Sequence, residues 1–280
     1  QVSDQYRRIR NTFRFIMGNL NDFDEKSNNV NKNDLVEIDK WIISEAIKLQ
    51  EEVQKLNDNY AYHHVIQKIH NFCVHELGGV YLDIIKDRMY VTKSNSYARR
   101  SAQFALFEVA EILIRLISPI LVFTAEEIWQ SHELFKKQSV SIFMASQKAL
   151  SEIESSISDE DWKKIFAVKD AVNQSIEKAR TDSVIKGSLD SKISITCDKK
   201  TFKALQKIED ELKFVFISSE VEIAESSSSG LDIEVTNFDQ KKCIRCWNKC
   251  SSVGLYAEDP EICSRCYTNI YGDGEIRKFV

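Results

Sequence analysis

Four cysteines near the end of this 280-residue sequence have the spacing of a metal site. They form two C-x-x-C pairs, Cys243 with Cys246 and Cys263 with Cys266. A C-x-x-C turn directs two thiolates at one point, and two such turns complete the tetrahedron of a structural zinc site. We therefore predict that these four residues bind one structural Zn2+.

The two cysteine pairs repeat one pattern, with an arginine before the second cysteine and an aromatic residue after it. Because aromatic rings stack on unpaired RNA bases and arginines contact phosphates, Arg245 and Trp247 are candidate RNA-binding residues. Aromatic and arginine residues are also common at protein interfaces, so binding of a protein by this cysteine-containing segment is the alternative interpretation. For Arg265 and Tyr267 we favour structural roles, the arginine offsetting thiolate charge and the ring covering a small core.

The composition is typical of a protein in a reducing compartment and does not indicate a membrane-spanning segment. Four of the seven cysteines belong to the metal pattern, which is not typical of a disulfide scaffold, and a redox role lacks a thioredoxin-like context. No apolar run reaches the length of a membrane span, and no signal peptide is visible. We expect a cytoplasmic protein. Because the chain does not begin with Met, we expect it to be part of a longer one.

The net charge of −5 excludes a broadly basic nucleic-acid-binding surface. The acidic excess falls mostly in residues 146–240, whereas residues 241–280 are net basic. RNA contacts would therefore come from local patches, and we expect no DNA binding.

One such patch is predicted on the first helix, residues 3–20. Its apolar face comprises Tyr6, Ile9, Phe13, Ile16, Met17 and Leu20. Beside it, Arg7, Arg10 and Arg14 form a stripe that suits a phosphate backbone. A solvated, ion-paired face would produce the same stripe.

Further helical patterns cover residues 33–56, 59–77, 80–93, 96–118 and 120–130. We predict Asp34 as a helix cap and a break at Gly78-Gly79. Glu126 and Glu127 are adjacent on a helix and diverge, which excludes a catalytic dyad. Residues 1–135 therefore predict an antiparallel bundle of about five helices.

The middle of the chain predicts a small α/β unit without a catalytic constellation. We expect helices at 162–180 and 200–211, and strands at 189–198, 214–217, 221–224 and 231–235. The fold class is thus mainly α, with a helical domain at 1–145, an α/β junction domain at 146–240 and a zinc ribbon at 241–280.

Several segments resemble the C-terminal region of bacterial isoleucyl-tRNA synthetases, which are class I enzymes. They are YRRIRNTFRF (6–15), YLDIIKDRMY (81–90), SPILVFTAEEIW (118–129), the two C-x-R-C motifs and GDGEIRKFV (272–280). The resemblance implies that the bundle binds the anticodon stem-loop of tRNA(Ile) and that the ribbon completes anticodon recognition. Arg245 and Trp247 would approach the anticodon, and Arg7, Arg10 and Arg14 would lie along the anticodon arm.

The resemblance also implies what this segment lacks. The HIGH-like and KMSKS-like motifs of the catalytic domain do not occur, nor does the editing domain. We therefore expect no catalytic residue and an inactive segment. The full-length isoleucine–tRNA ligase, expected as a monomer, would attach isoleucine to tRNA with ATP and Mg2+. The alternative is a zinc-ribbon protein-interaction module on a helical scaffold.

Overall fold

The computed structural model describes residues 2–24, 30–148, 153–226 and 230–280. They form two compact units, one of residues up to Ile85 with Arg99–Ser155, the other of Lys86–Ala98 with Ser156–Val280. The three-domain division expected from the sequence stays a prediction. Among these residues, no helix combines the length and apolar character needed to span a bilayer.

The first unit is built of helices. They are α1 (Val2–Asn19), α2 (Glu37–Asp58), α3 (Tyr62–Phe72), α5 (Tyr97–Ile117), α6 (Val122–Ser131) and the short α7 (Glu133–Lys136), with the division between units falling inside α4 (Leu82–Val91). The predicted mainly α fold, with a small sheet and a C-terminal cysteine cluster, is confirmed.

The apolar stripe of α1 forms part of the core of the first unit. Ile9, Phe13, Ile16 and Leu20 are buried, as their helical spacing predicts. Tyr6 was predicted on the same face, but 38% of it is exposed. Its hydroxyl lies 3.1 Å from Thr124 Oγ1, so the phenol reaches a polar partner at the edge of the core.

Helix α2 begins later than its polar residues indicate. Asp34 closes a short 3-10 turn at Lys32–Asp34, and the helix starts at Glu37 without a side-chain cap. The N–H of Val36 instead donates to Ser101 Oγ at 3.0 Å, and that hydroxyl donates to buried Asp39 at 2.5 Å. A partner from α5 therefore sets the start of α2, and local sequence does not reveal it.

The predicted break at Gly78-Gly79 is wrong. The chain continues from α3 into a π-helix at Cys73–Tyr81 and then into α4. A Cβ at Gly78 would lie 3.0 Å from the carbonyl oxygen of Cys73, and one at Gly79 would lie 3.3 Å from that of Val74. A Cβ at either position would be in unusually tight contact with the preceding backbone, so these glycines allow the wider helical turns to close without a shift.

The second unit contains a three-stranded sheet covered by helices. Ser158 Oγ caps α8 (Asp159–Thr181) by accepting from the N–H of Asp161. The sheet has the order β2-β1-β3, with β1 (Ser191–Cys197) parallel to β2 (Glu220–Glu225) and antiparallel to β3 (Asp232–Asn237). Helix α9 (Lys199–Gln206) packs with α8 against it.

Buried and half-buried side chains alternate along β1, and the buried ones identify the face of the sheet that the helices cover. Ile193, Ile195 and Cys197 are buried, and the residues between them are half-buried. The predicted strand at 214–217 is wrong, because Leu212–Val215 forms a short helix, α10. The last helix, α11, spans Ser264–Tyr271.

Candidate metal centre and nucleic-acid interface

The four cysteines predicted as zinc ligands converge. All are buried, and their sulfur atoms lie within 4.8 Å of one another. Cys243 Sγ lies 3.7 Å from Cys266 Sγ, and Cys246 Sγ lies 3.7 Å from Cys263 Sγ. A tetrahedral zinc with Zn–S bonds of ~2.3 Å requires sulfur–sulfur distances of about 3.8 Å. The sulfur cluster therefore fits a tetrahedral zinc ion.

The two C-x-x-C segments share one backbone hydrogen bond. In the first, the N–H of Trp247 donates to the carbonyl of Cys243, and in the second the N–H of Tyr267 donates to the carbonyl of Cys263, both at 2.9 Å. The N–H of Cys263 also donates to Cys243 Sγ at 3.3 Å, which links the two segments. The repeated hydrogen bond closes a turn at Trp247 in the first segment and begins α11 in the second.

The fifth nearby thiol, Cys250, is not part of the four-sulfur cluster. It packs, half-buried, against the apolar residues around the cluster, and its sulfur lies 3.4 Å from Ser252 Oγ. Tyr267 also packs against this core and stacks on Tyr256 with the ring centroids 3.7 Å apart. These contacts support the structural role that the sequence suggests for Tyr267.

Arg265 pairs with a carboxylate that the sequence analysis did not single out. Its guanidinium donates two hydrogen bonds to Asp87, at 2.6 and 2.9 Å. Arg277 donates a third to Asp87 at 2.7 Å, and its guanidinium lies 3.2 Å from the centre of the Phe214 ring. Burial alone would raise the pKa of Asp87, but the two arginines outweigh it and leave the pKa below its ordinary value.

The segment after α11 is fixed by a second carboxylate. Glu211 accepts hydrogen bonds from the backbone N–H groups of Lys278, Phe279 and Val280, at 2.9, 3.1 and 2.7 Å. Lys93 Nζ donates to the carbonyl of Gly272 at 2.9 Å. The GDGEIRKFV motif therefore packs against its own unit, through partners distant in sequence.

The two candidate RNA-binding residues of the first knuckle differ in environment. Arg245 is half-buried and donates a 2.5 Å hydrogen bond to the carbonyl of Val91, so it anchors the knuckle to the end of α4. Trp247 has 63% of its surface exposed. Its backbone lies in the left-handed region at φ 64°, where a residue other than glycine is strained. The Trp247 ring is therefore open to solvent, whereas Arg245 is bonded to the protein backbone.

The three arginines of the α1 stripe also differ in their environments. Arg7 pairs with Asp4 at 2.5 Å, and Arg10 pairs with both oxygens of Glu127 at 2.8 Å. Arg14 is exposed and has no ion-pair or hydrogen-bond partner among the residues described. The ion-paired face anticipated as the alternative therefore describes two of the three arginines.

Asp87, Lys93 and Glu211 are the residues of this region that sequence reasoning missed. Asp87 and Lys93 lie in a segment that reads as an ordinary helix end, and their partners are more than a hundred positions away. The one signal was the position of Asp87 within YLDIIKDRMY, a motif that resembles the synthetase family and gave this aspartate no evident role.

Comparison with known families supports the assignment of both units. The family model described as the anticodon-binding domain of tRNA ligase matches residues 39–195. A second model, described as a zinc finger found in FPG and IleRS, matches residues 240–269. That match and the buried sulfur cluster support a structural zinc ion at this site.

Curated relatives align along the whole chain. An isoleucine–tRNA ligase of Alcanivorax borkumensis is 41% identical over 100% of this chain and 31% of its own length. One of Pseudoalteromonas translucida is 42% identical over 99% of this chain and 30% of its own. The chain thus spans about a third of the length of these relatives. On the family match and the arrangement of its helical unit, the chain belongs to the family of anticodon-binding domains of tRNA ligases.

Proposed function

We propose that this chain recognises the anticodon stem-loop of an isoleucine tRNA. The observation that carries the proposal is the exposed indole of Trp247, held on a rigid turn beside a buried sulfur cluster. An aromatic ring presented in this way stacks on an unpaired base, which contributes ~1–3 kcal/mol. The relatives of the chain are isoleucine–tRNA ligases, which suggests the isoleucine tRNA as the ligand.

The proposed ligands of the zinc ion are Cys243, Cys246, Cys263 and Cys266. Bound there, the ion would cross-link the two knuckles and supply folding free energy to a segment with few apolar residues. The chain's own residues would then set the interface. Asp87 holds Arg265 and Arg277, and the backbone of Trp247 aims its ring away from the core.

The proposed arginine contacts follow from the ion pairs of each side chain. Arg14 can meet a phosphate without losing a partner, whereas Arg7 and Arg10 must give up Asp4 and Glu127 or share them. Arg245 uses one terminal nitrogen on Val91 and keeps other N–H donors. We therefore expect Arg14 to contribute most to phosphate binding and Arg245 to anchor the knuckle as well as to contact RNA.

For the full-length protein we propose ATP-dependent attachment of isoleucine to tRNA. The catalytic residues, ATP and Mg2+ would belong to parts of the protein outside this segment, which on its own would be inactive. We propose that this enzyme is a cytoplasmic monomer, and the names of the relatives support the ligase activity.

The proposal is tested by RNA binding over a salt series. The ligands are an isoleucine tRNA and the same tRNA with its anticodon replaced. We expect tighter binding of the first, and we expect Trp247→Ala to reduce that affinity about tenfold through lost stacking. Leu255→Ala is the matched control, because Leu255 is an exposed apolar residue of the same ribbon.

Two results would contradict the proposal. Equal affinity of the unaltered chain for both tRNAs would exclude anticodon recognition by this segment. Affinity that does not fall with salt would exclude phosphate contacts and would favour the protein-binding ribbon.

A further inference from the structure

The turn between α2 and α3 holds an exposed tyrosine in a strained backbone. Tyr60 has φ 57°, in the left-handed region, and 79% of its surface is exposed. The N–H of Ala61 donates to the carbonyl of Leu56, and the N–H of Tyr60 donates to that of Asn57. This pair of bonds ends a helix at a left-handed residue, a position that glycine normally fills.

Folding offers no reason for a tyrosine at this position. A side chain there is strained, and a ring that is four-fifths exposed gains little from burial. Glycine would satisfy the same hydrogen bonds without strain, because both bonds involve only the backbone. Strained backbone that the core does not require is concentrated at functional sites.

Tyr60 is followed in the chain by three further ring-bearing residues. Tyr62 is 55% exposed and meets it edge-on, with the ring centroids 6.2 Å apart. His63 and His64 follow, both exposed, with their rings 3.9 Å apart. One short turn therefore offers a set of planar groups to solvent, although none is needed to end the helix.

The combination at Tyr60 is the one found at Trp247. Four residues other than glycine have positive φ in the described part of the chain. Of these, Ser183 is small and Ile217 is half-buried, whereas Tyr60 and Trp247 are large, aromatic and exposed. At both residues a tight turn is closed by backbone hydrogen bonds, and the aromatic ring is exposed to solvent.

We propose that Tyr60, with Tyr62 at its edge, forms a second base-stacking site for single-stranded RNA. The inference rests on the proposed function and extends it to the helical unit, where the anticodon-binding family model covers this turn. The ligand is an unpaired base of the bound tRNA. Its recognition is by stacking, which any base satisfies, so this site adds affinity without choosing a sequence.

The test uses Tyr60→Gly and Tyr60→Phe. Glycine relieves the backbone strain, so we expect its midpoint of thermal unfolding to rise by about 2 °C. The same variant should bind the isoleucine tRNA about tenfold more weakly, because one stacked base is lost. Phenylalanine keeps the ring and should bind like the unaltered chain. A more stable protein with weaker binding cannot be explained by damage to the fold.

The salt series separates stacking from charge. Because tyrosine carries no charge, Tyr60→Gly should lower affinity at every salt concentration and leave the slope of log K against log salt unchanged. Phe123→Ala is the matched control, since Phe123 is 91% exposed on a regular helix of the same unit. It should change neither affinity nor slope.

The outcomes distinguish this inference from the proposed function. Unchanged affinity in Tyr60→Gly, with weaker binding in Trp247→Ala, would overturn the second site alone. Unchanged affinity in both variants would overturn both stacking sites, and the comparison of the two tRNAs would then decide anticodon recognition separately. A lower slope for Tyr60→Gly would also overturn the stacking site, because it would indicate a displaced phosphate contact.

Discussion

At the scale of single residues, charged groups in this chain are fixed by partners from other elements. Asp87 and Glu275 together neutralise Arg265 and Arg277, and Arg277 is almost fully buried. Arg265 interacts with the Cys246 thiolate, as the sequence suggests, but its two short hydrogen bonds go to the carboxylate of Asp87 in α4. Loss of that carboxylate would leave two guanidinium groups without their main partner, which is costly for buried charge.

Asp22 gives a prediction of pH dependence. Its carboxylate accepts hydrogen bonds from Arg99 at 2.5 and 2.9 Å and from Gln103 at 2.8 Å. The bond to Arg99 is the main cause that lowers the pKa of Asp22 from 3.8 to about 2, against the opposing effect of partial burial. The ionised form is therefore favoured in the folded state, and its stabilisation is present above pH 3.8 and lost as the pH falls to about 2.

We expect Asp22→Asn to lower the free energy of unfolding at pH 6 by about 1 kcal/mol, a value discounted because nearly half of the side chain is exposed. The difference from the unaltered chain should shrink at pH 3. Urea unfolding of both proteins at pH 6 and pH 3 measures this difference in the free energy of unfolding. Asp4→Asn is the control, since the Asp4 ion pairs are solvated and should matter little. An equal difference at both pH values would rule out the ionised carboxylate as the cause.

The sequence predicts the sulfur cluster better than its surroundings. C-x-x-C spacing is a local constraint that brings Cys243 to Cys246 and Cys263 to Cys266, and two such pairs in one short segment predict a single shared site. The bond from Arg245 to Val91 joins residues 154 positions apart, and no local pattern encodes it. The sequence therefore identified Arg245 as a functional candidate but not as an anchor.

At the scale of elements, two glycines in helices make a contrasting pair. A Cβ added to Gly18 in α1 would meet no atom within 4 Å, whereas one at Gly78 would lie 3.0 Å from a backbone carbonyl. Gly18→Ala should therefore stabilise the chain by about 0.5–1 kcal/mol, because alanine loses less conformational freedom on folding. Gly78→Ala should destabilise it by about 1–3 kcal/mol, because the π-helix must shift.

Chemical denaturation of both variants gives the two changes in the free energy of unfolding. Each variant is the control for the other, since both add one methyl group to a helix. The same sign of change in both would mean that Gly78 is not required by the π-helix.

Helices and strands were predicted correctly where a periodic pattern of apolar residues extends over many positions. Helix α8 and strand β1 lie near their predicted residues because each repeats its pattern over several turns or pairs. The run Phe214-Val-Phe-Ile217 was misassigned because four apolar residues fit a strand and a buried helical turn equally well. Ile217 in fact adopts φ 53°, which ends that turn before β2.

At the scale of the whole molecule, zinc removal should act on part of the chain. We expect chelation to unfold the knuckles, because burial of Cys243, Cys246, Cys263 and Cys266 depends on a shared metal. Hydrogen exchange should then lose protection across residues 241–271 and keep it in α1, α2 and α5. Zinc released by a thiol reagent, measured alongside, should reach one ion per chain.

Two results would contradict this division. Lost protection in α5 after chelation would make the helical unit dependent on the metal. Full protection of residues 241–271 in a chain shown to be free of zinc would mean that the knuckles fold on apolar contacts and hydrogen bonds alone.

The discontinuous makeup of the second unit has a consequence for synthesis. Asp87 and Arg265 are separated by 178 positions, yet both belong to this unit. At elongation rates of about 5–20 residues per second, the arginine leaves the ribosome roughly 10–40 s after the carboxylate. During that interval residues 86–98 have been made, but Arg265, the partner of Asp87, has not. The nascent chain must therefore keep this segment free of wrong partners until the last knuckle emerges.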